Sequence, residues 1–247
     1  MSSFHEHHGQ QKSFFEVDPA RVATRVFGHP SFPRTMQCKF AFLAHTLAGC
    51  RKVLEVGVGK GLQLTYFLDR MPEDCQYTGV DIAEAPLREA RERLAPHLQS
   101  RVTLQAAVGE RLPFEDRSFD AVFCVDVLHH AASQPSMLAE MRRVVRAGGH
   151  VICVEPNPLH PANLMYLRDP IEKGLFQLTP DNAREWTRHA GLEQLRLENL
   201  PVFFPSFPGV LENAYGVMER VLARVPVLNR FSTTRVLRAS RPEEPRG

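Results

Sequence analysis

Short apolar runs recur along the first two thirds of the chain, and stretches with helical spacing separate them. Five of these runs have the length and the β-branched content of buried strands: "KVLEV" (52–56), "QYTGVD" (76–81), "RVTLQA" (101–106), "FDAVFCV" (119–125) and "GHVICVE" (149–155). The stretches between them, among them "APLREARERLAPHL" and "PSMLAEMRRVVRAGG", place leucine and valine at helical spacing. Strands and helices that alternate in this way predict right-handed βαβ units around a parallel sheet.

The pattern changes after the fifth strand. "TPDNAREWTRHAG" predicts a helix with Thr179 as its cap, Pro180 at its first position and Gly191 past its end. Two further strands are predicted in "LEQLRLENL" and "TTRVLRAS". Between them, residues 199–230 combine a Pro- and Phe-rich lead with valine and alanine at helical spacing. We interpret this segment as an insertion that lies over one end of the sheet.

Length and composition fit a single domain with a sizeable core, since the chain has 247 residues and 43% of them are hydrophobic. Within the domain 1–247 we distinguish an N-terminal cap segment (1–48), a core (49–158) and a C-terminal half (159–247) that contains the insertion. A formal charge of +2 gives no general argument for nucleic-acid binding. The chain shows no signal-peptide pattern, no run of ~18 apolar residues and no C-x-x-C pair among its five cysteines. We therefore expect a cytoplasmic protein with reduced cysteines and no membrane span.

Three glycines at alternate positions follow the first predicted strand in "VLEVGVGKGLQL" (53–64). Glycine adopts backbone angles that a side chain forbids and lets the main chain approach a ligand closely, so these glycines indicate a bound small molecule at the strand end. A dinucleotide fingerprint G-x-G-x-x-G fails, because its sixth position falls on Leu62 or Leu64. A Walker-type phosphate loop fails as well, since no Gly-Lys-Ser/Thr follows the glycines.

The pattern E-x-G-x-G-x-G at Glu55, Gly57, Gly59 and Gly61 resembles the first motif of the class I S-adenosylmethionine-dependent methyltransferases. Asp81 ends the second predicted strand about 20 residues after the last glycine. A carboxylate at that place can accept hydrogen bonds from both hydroxyls of a ribose. The motif and the acid together indicate a nucleoside-containing ligand.

Two longer segments extend the resemblance, "GERLPFEDRSFDAVFCVDVLHH" (109–130) and "VRAGGHVICVEPNP" (145–158). The similarity covers about residues 50–158, so the core 49–158 is expected to bind the cofactor. The resemblance implies S-adenosylmethionine as that cofactor. It also implies an α/β fold, namely a Rossmann-like, doubly wound sheet of seven strands that is mostly parallel with an antiparallel last strand, with helices on both faces and a helical cap insertion.

The cofactor contacts predicted from this resemblance lie at the ends of four strands: Glu55, Gly57, Gly59, Gly61, Asp81, Ile82, Gly109, Glu110 and Asp126. A carboxylate at position 55 suits a ligand that carries an ammonium and a sulfonium group. Many relatives have an Asp before "LPF" that accepts from the adenine amino group, whereas this chain has Val108 there. We expect the backbone of Gly109 to donate to the ring and Glu110 to supply the missing acceptor.

His129 and His130 follow the fourth predicted strand and are the candidate catalytic residues. If the methyl acceptor is a hydroxyl or a phenol, it needs a general base, and histidine has a suitable pKa. In the alternative interpretation the two histidines cap the strand and pack the next helix. Glu155 is interpreted as holding a turn. "HEHH" near the N-terminus lacks the spacing of a zinc-binding helix, so no metal site is predicted.

Apolar residues of two segments can form a chamber over the cofactor: Phe40, Phe42, Leu43, Phe203, Phe204, Phe207, Leu211, Tyr215 and Met218. Ordinary core packing or a dimer face is an equal alternative, and the second of these implies a homodimer. With the chamber, we expect methyl transfer to a small, largely apolar organic metabolite, and the acceptor atom (oxygen, nitrogen or carbon) is left open.

Two other functions remain alternatives at this point. An RNA or protein substrate is suggested by the Arg-rich C-terminal region with Arg235, Arg238 and Arg241, although their spacing is more typical of a solvated face and no nucleic-acid platform is apparent. A non-catalytic module with a methyltransferase-like fold is the other alternative, and the intact glycine motif argues against it.

Overall fold

The computed structural model describes residues 8–9, 12–13, 32–169, 172–200, 217, 221 and 224–243. The strands of its sheet are β1 (Lys52–Val56), β2 (Gln76–Asp81), β3 (Val102–Ala106), β4 (Phe119–Val125), β5 (Val145–Pro156), β6 (Glu193–Leu200) and β7 (Thr234–Ser240). The described α-helices of four residues or more are α1 (Phe32–Thr46), α2 (Leu64–Leu68), α3 (Glu84–Arg93), α4 (Gln134–Val144), α5 (Pro180–His189) and α6 (Pro226–Asn229). Short 3₁₀ turns span Pro96–Arg101, Leu128–His130, Pro161–Tyr166 and Lys173–Gln177.

The seven strands form one sheet in the order β3-β2-β1-β4-β5-β7-β6. The first five strands pair in parallel, while β7 runs antiparallel to both β5 and β6. The predicted mixed sheet with an antiparallel last strand is therefore confirmed. The strand order reverses between β1 and β4, and in such sheets the ligand crevice lies beyond the carboxyl ends of the strands at this point.

Each face of the sheet buries its own apolar cluster. One cluster joins α1 and α2 to the sheet through aromatic side chains, with Phe67 packed against Phe40 and Phe123 at ring-centroid distances of 5.9 and 5.4 Å. The other cluster packs α4 and α5 against the opposite face through residues such as Met137 and Trp186. Helices therefore cover both faces, as the parallel pattern predicts.

The predicted apolar chamber is described only in part. Phe40 and Leu43 belong to the first core cluster, and Phe42 is half-buried against it. For these three residues the structure shows core packing of α1, which was the alternative interpretation. The other six chamber residues and most of the predicted insertion at 199–230 lie outside the described residues.

The ends of α5 follow the sequence signals. The Thr179 hydroxyl accepts a hydrogen bond from the Asn182 N–H at 3.2 Å, and Pro180 opens the helix. Gly191 has φ = 68°, a left-handed conformation that favours glycine and ends the helix. The predicted cap, first residue and stop are all confirmed.

Two of the three C-terminal arginines are buried, so the interpretation as a solvated face is wrong for them. Arg235 donates from Nη1 to the carbonyl of Leu178 at 2.9 Å. Arg241 donates from Nη1 to the carbonyls of Arg142, Arg143 and Val145 at 3.1, 2.9 and 2.9 Å. These guanidinium groups donate to backbone carbonyls at the end of α4 and before α5, and the Arg143 carbonyl also accepts from the N–H of Arg117 at 3.0 Å.

All five cysteines are free thiols, and four of them are buried, as expected for structural reduced cysteines. Cys124 and Cys153 lie opposite each other on β4 and β5. Among the described residues, no helix has both the length and the apolar character needed to cross a bilayer.

Candidate active site

The loop after β1 turns at its three glycines. Gly57, Gly59 and Gly61 have φ angles of 83°, 52° and 61°, a region that residues with a side chain rarely adopt. The N–H groups of Gly57 and Val58 donate to the carbonyl of Val80 at 2.7 and 3.0 Å. The loop is thereby fixed to the end of β2, next to Asp81.

The space around each glycine differs. A Cβ on Gly57 would lie 2.2 Å from a methyl group of Val127, and one on Gly61 would lie 3.0 Å from the Cβ of Ala90. A Cβ on Gly59 would meet no atom within 4 Å. Gly57 and Gly61 are therefore required for close packing within the fold, whereas Gly59 borders open space in which a ligand can approach the backbone.

Asp81 holds this loop in place. Its Oδ2 accepts from the N–H of Gly59 at 2.8 Å and its Oδ1 from the N–H of Ala83 at 3.0 Å. Burial raises the pKa of Asp81, and these backbone hydrogen bonds oppose that effect. Each carboxylate oxygen has a second lone pair, so the predicted contact with two ribose hydroxyls is compatible with these bonds. Ile82, which lies between Asp81 and Ala83, is half-buried.

Glu55 lies in the interior, with 4% of its surface exposed. The hydroxyl of Tyr77 on the neighbouring strand donates a hydrogen bond to its carboxyl group. Burial raises the pKa of Glu55 to about 8, while the Tyr77 hydrogen bond opposes this effect and the nearby Asp81 adds to it. Because this keeps much of the carboxyl neutral near pH 7, the structure does not favour the predicted attraction of a cationic ligand. A direct cofactor contact of Glu55 stays a prediction.

The side chain of Glu110 contacts the backbone just before the first residue of α4. Its Oε1 accepts from the N–H of Ala132 at 2.8 Å, and its Oε2 lies 3.1 Å from Nε2 of His8. The adjacent Gly109 is closely packed, since a Cβ there would lie 3.1 Å from Val56 and 3.2 Å from Met137. Glu110 thus stabilises the amino end of a helix, and the adenine contacts of Gly109 and Glu110 remain predictions.

Asp126 turns the chain at the end of β4 with φ = 56°. Its carboxylate binds Nζ of Lys39 at 2.5 and 2.6 Å, and Lys39 is 4% exposed. The sequence interpretation missed Lys39, although it precedes Leu43 by four residues and therefore lies on the buried face of α1. This ion pair connects α1 to Asp126, which is one of the predicted cofactor contacts.

His129 is held between two carboxylates. Its Nδ1 lies 2.5 Å from Oε2 of Glu155, and its Nε2 lies 3.2 Å from Oε2 of Glu172. Glu155 also accepts from the N–H groups of Val127 and Leu128 at 3.0 and 2.9 Å. The interpretation of Glu155 as the residue that holds a turn agrees with this geometry. Glu172 was missed, because nothing in its local sequence indicates a partner 43 residues away.

This arrangement bears directly on the predicted catalytic role of His129. Burial lowers the pKa of His129, but the two carboxylates outweigh it and raise the pKa to about 10. Although burial raises the pKa of Glu155, the adjacent His129 and the backbone donors bring it below its usual range. Near neutral pH His129 therefore carries a proton and cannot accept another. The role of general base stays a prediction for His130, whose ring centroid lies 3.9 Å from that of His129.

The predicted site residues gather at the carboxyl edge of the parallel strands. The glycine loop contacts Asp81, and Val127, which follows Asp126, packs against Gly57. The open space at Gly59, the close approach that its missing side chain permits and the acid at the end of β2 fit an adenosyl ligand. The residues present therefore suit S-adenosylmethionine as the resemblance implies.

Comparisons with known proteins agree with this geometry. Residues 54–153 match the family model described as a methyltransferase domain. The chain is 26% identical over 182 residues to the 27-O-demethylrifamycin SV methyltransferase of Amycolatopsis mediterranei, covering 70% of this chain and 66% of that protein. It is 31% identical over 147 residues to the ubiquinone biosynthesis O-methyltransferase of Alkalilimnicola ehrlichii, covering 59% of this chain and 58% of the relative. The matched part is thus less than two thirds of either relative.

The fold is shared with solved structures of low sequence identity. The crystal structure of the cyclase SpnF superposes with a TM-score of 0.68 at 19% identity, covering 96% of this chain and 97% of that one. The glycine motif with its strand-terminal acid, the strand order and the methyltransferase match at residues 54–153 lead to one assignment. Together these findings support a class I S-adenosylmethionine-dependent methyltransferase domain at residues 54–153.

Proposed function

We propose that this protein transfers a methyl group from S-adenosylmethionine to a small, largely apolar organic metabolite. One observation supports this most: Gly59 has a left-handed backbone and no atom within 4 Å of its missing Cβ, while its N–H is bound to Asp81. The loop is therefore rigid and yet open on one side. That combination suits a ligand whose chain passes close to the backbone.

The substrate class is inferred from the relatives and from the burial of two C-terminal arginines. Both relatives are named as methyltransferases, one of demethylrifamycin SV and one in ubiquinone biosynthesis. Such names favour an organic acceptor over a macromolecule. The burial of Arg235 and Arg241 also removes two of the three arginines that suggested RNA. The acceptor atom is left open.

The residues of this chain contribute binding and orientation. S-adenosylmethionine supplies a methyl group on a sulfonium, which reacts with a nucleophile aligned opposite the sulfur. The protein must therefore hold the two reactants in line, which can supply much of the rate enhancement without a protein nucleophile. The glycine loop and Asp81 fix one end of this geometry. His130 is the candidate that accepts a proton if the acceptor is a hydroxyl.

Calorimetry with S-adenosylhomocysteine, the demethylated product, tests the cofactor site. We expect Gly59→Leu to weaken binding at least tenfold, because its side chain fills the open space and strains the backbone. Gly49→Leu is the matched control, since a Cβ at Gly49 also meets nothing within 4 Å but no left-handed backbone is required there. Asp81→Asn serves as a second variant if Gly59→Leu unfolds. Unchanged binding in both site variants, or no binding by the wild type, would contradict the proposal.

A screen with labelled S-adenosylmethionine tests the reaction itself. The fold alone does not determine chemistry, since the cyclase SpnF shares it. We expect label in one or more phenols, quinols or polyketide-like compounds and none in RNA or protein. Label that appears only in macromolecules, or in no compound although the cofactor binds, would overturn the assignment of the substrate.

A further inference from the structure

Three potential metal ligands converge beside the candidate active site. One ligand atom each from His129, His130 and Glu172 lies within 4.8 Å of the others. In the part of the chain that the structure describes, this is the one group of three or more His, Cys, Asp or Glu side chains with such spacing. Atoms bound to one tetrahedral ion at 2.0–2.2 Å lie about 3.3 to 3.6 Å apart. Side-chain rotations that close the widest gap by roughly 1 Å would therefore bring all three onto one ion.

His129 already has the orientation of a metal ligand. Its Nδ1 is bound to the buried carboxylate of Glu155 at 2.5 Å, so its Nε2 points toward Glu172. Histidines that bind metals almost always donate their other ring N–H to a carboxylate or a carbonyl in this way, which fixes the ring and its tautomer. Glu155 is itself fixed by the N–H groups of Val127 and Leu128.

The third ligand reaches the site because of a glycine. Glu172 precedes the turn Lys173–Gln177, which packs directly on His129. A Cβ on Gly174 would lie 1.8 Å from the carbonyl oxygen of His129, so no residue with a side chain fits there without moving the backbone. This close approach holds Glu172 at 3.2 Å from Nε2 of His129.

Three other histidine–carboxylate pairs lie among the described residues. His97 pairs with Asp69 at 3.3 Å and His189 with Glu185 at 4.0 Å, and both of these pairs are exposed. By contrast, the side chains of His129 and Glu172 are 3% and 20% exposed. The side chains of His8 and Glu110, at 3.1 Å, are 14% and 4% exposed, but they do not belong to a group of three such ligands. Two carboxylates beside one buried histidine are stabilised by positive charge at that place, which a metal ion supplies as well as a proton does.

We infer that His129, His130 and Glu172 bind a divalent transition-metal ion, for which zinc is the best match. Two imidazoles and one carboxylate suit zinc better than magnesium or calcium, which prefer oxygen ligands only. Three protein ligands leave at least one coordination position for water or a small oxygen ligand, as in catalytic rather than closed structural sites. The ion replaces the proton that otherwise bridges His129 and Glu172. While the ion is bound, His130 acts as its ligand and not as a proton acceptor.

Calorimetry with zinc, after the protein has been treated with a chelator, tests this site. We expect the wild type to bind zinc and Glu172→Gln to bind it at least tenfold more weakly. The glutamine keeps the shape of the side chain and removes its charge. His130→Asn should have the same effect. Asp69→Asn is the control, because it alters an exposed histidine–carboxylate pair and should leave zinc binding unchanged.

Zinc also binds weakly to histidines outside a defined site, and the chain has 11 histidines, so the decisive quantity is the difference between variants. Loss of one equivalent in both Glu172→Gln and His130→Asn, with no loss in Asp69→Asn, supports the site. Equal zinc binding by all four proteins overturns it, and so does a cobalt absorption spectrum that the two site variants share with the wild type. Binding of S-adenosylhomocysteine is measured in the same samples. Its presence without specific zinc binding refutes the metal site and leaves the proposed function intact.

Discussion

At the scale of a single residue, Glu55 is an acid of the glycine motif whose side chain is buried, with 4% of its surface exposed. Because burial raises its pKa from 4.5 to about 8, the folded protein binds a proton at this site over a range in which the unfolded chain has released it. The stability that this residue contributes is therefore fully present below about pH 4.5 and is lost as the pH rises to 8.

We expect Glu55→Gln to remove this loss, because the amide cannot ionise and can still accept the hydrogen bond from Tyr77. Relative to the wild type, the variant should gain about 2–4 kcal/mol between pH 5 and pH 8. Urea unfolding over this pH range measures the difference. Glu73→Gln, at an exposed position, is the control. Parallel pH curves for Glu55→Gln and the wild type would show that the carboxyl is ionised in the folded protein.

At the scale of elements, the buried end of α4 depends on one guanidinium group. Arg241 donates to the carbonyls of Arg142, Arg143 and Val145, and of these the Arg143 carbonyl has a second donor in the N–H of Arg117. We expect Arg241→Met to lower the free energy of unfolding by about 2–4 kcal/mol, because it keeps the apolar stem and removes this donor from the Arg142 and Val145 carbonyls.

The matched control for this cap is Arg238→Met on β7, three residues before Arg241, where the side chain is half-buried. We expect it to change stability by less than about 1 kcal/mol. Chemical denaturation of both variants measures the two effects. Similar losses in the two variants would mean that the apolar packing of the arginine stems, and not the carbonyl contacts, stabilises this end.

The strands could be predicted almost to the residue, because each apolar run has to fill a buried position between two layers of helices. β1, β2 and β4 have the predicted bounds. β5 begins at Val145, four residues before its predicted start, because Val145 pairs with Phe119 ahead of a shift in register. Such a pairing depends on a neighbouring strand and leaves no periodic signal in the chain.

The site was predictable where one short segment carries the whole signal and not where distant segments meet. The glycines and Asp81 are fixed by backbone requirements of a strand–loop–helix unit, and the structure brings them into contact. Lys39 and Glu172 act on residues 87 and 43 positions away, so their roles follow only from the folded chain. Burial keeps much of the Glu55 carboxyl neutral and two carboxylates keep His129 protonated, and a residue type alone reveals neither effect.

At the scale of the whole molecule, binding of the cofactor product should be visible as stability. A ligand that binds only the folded state at 100 times its Kd adds about 2.7 kcal/mol to the free energy of unfolding. For a domain of this size each kcal/mol raises Tm by roughly 2–4 °C. We therefore expect S-adenosylhomocysteine to raise Tm by about 5–10 °C in a thermal-shift assay.

NADH is the control in that assay, because the position of the third glycine in a dinucleotide fingerprint is taken by Leu62 or Leu64. The closely packed Gly57 and Gly61 leave Gly59 as the loop position at which a ligand can approach the backbone, and the loop is held there by Asp81. A molecule that needs a pyrophosphate-binding helix start does not fit this arrangement. NADH should leave Tm unchanged. A shift with NADH equal to that with S-adenosylhomocysteine would mean that the loop recognises the adenosine part alone, and discrimination would then have to come from residues outside the loop.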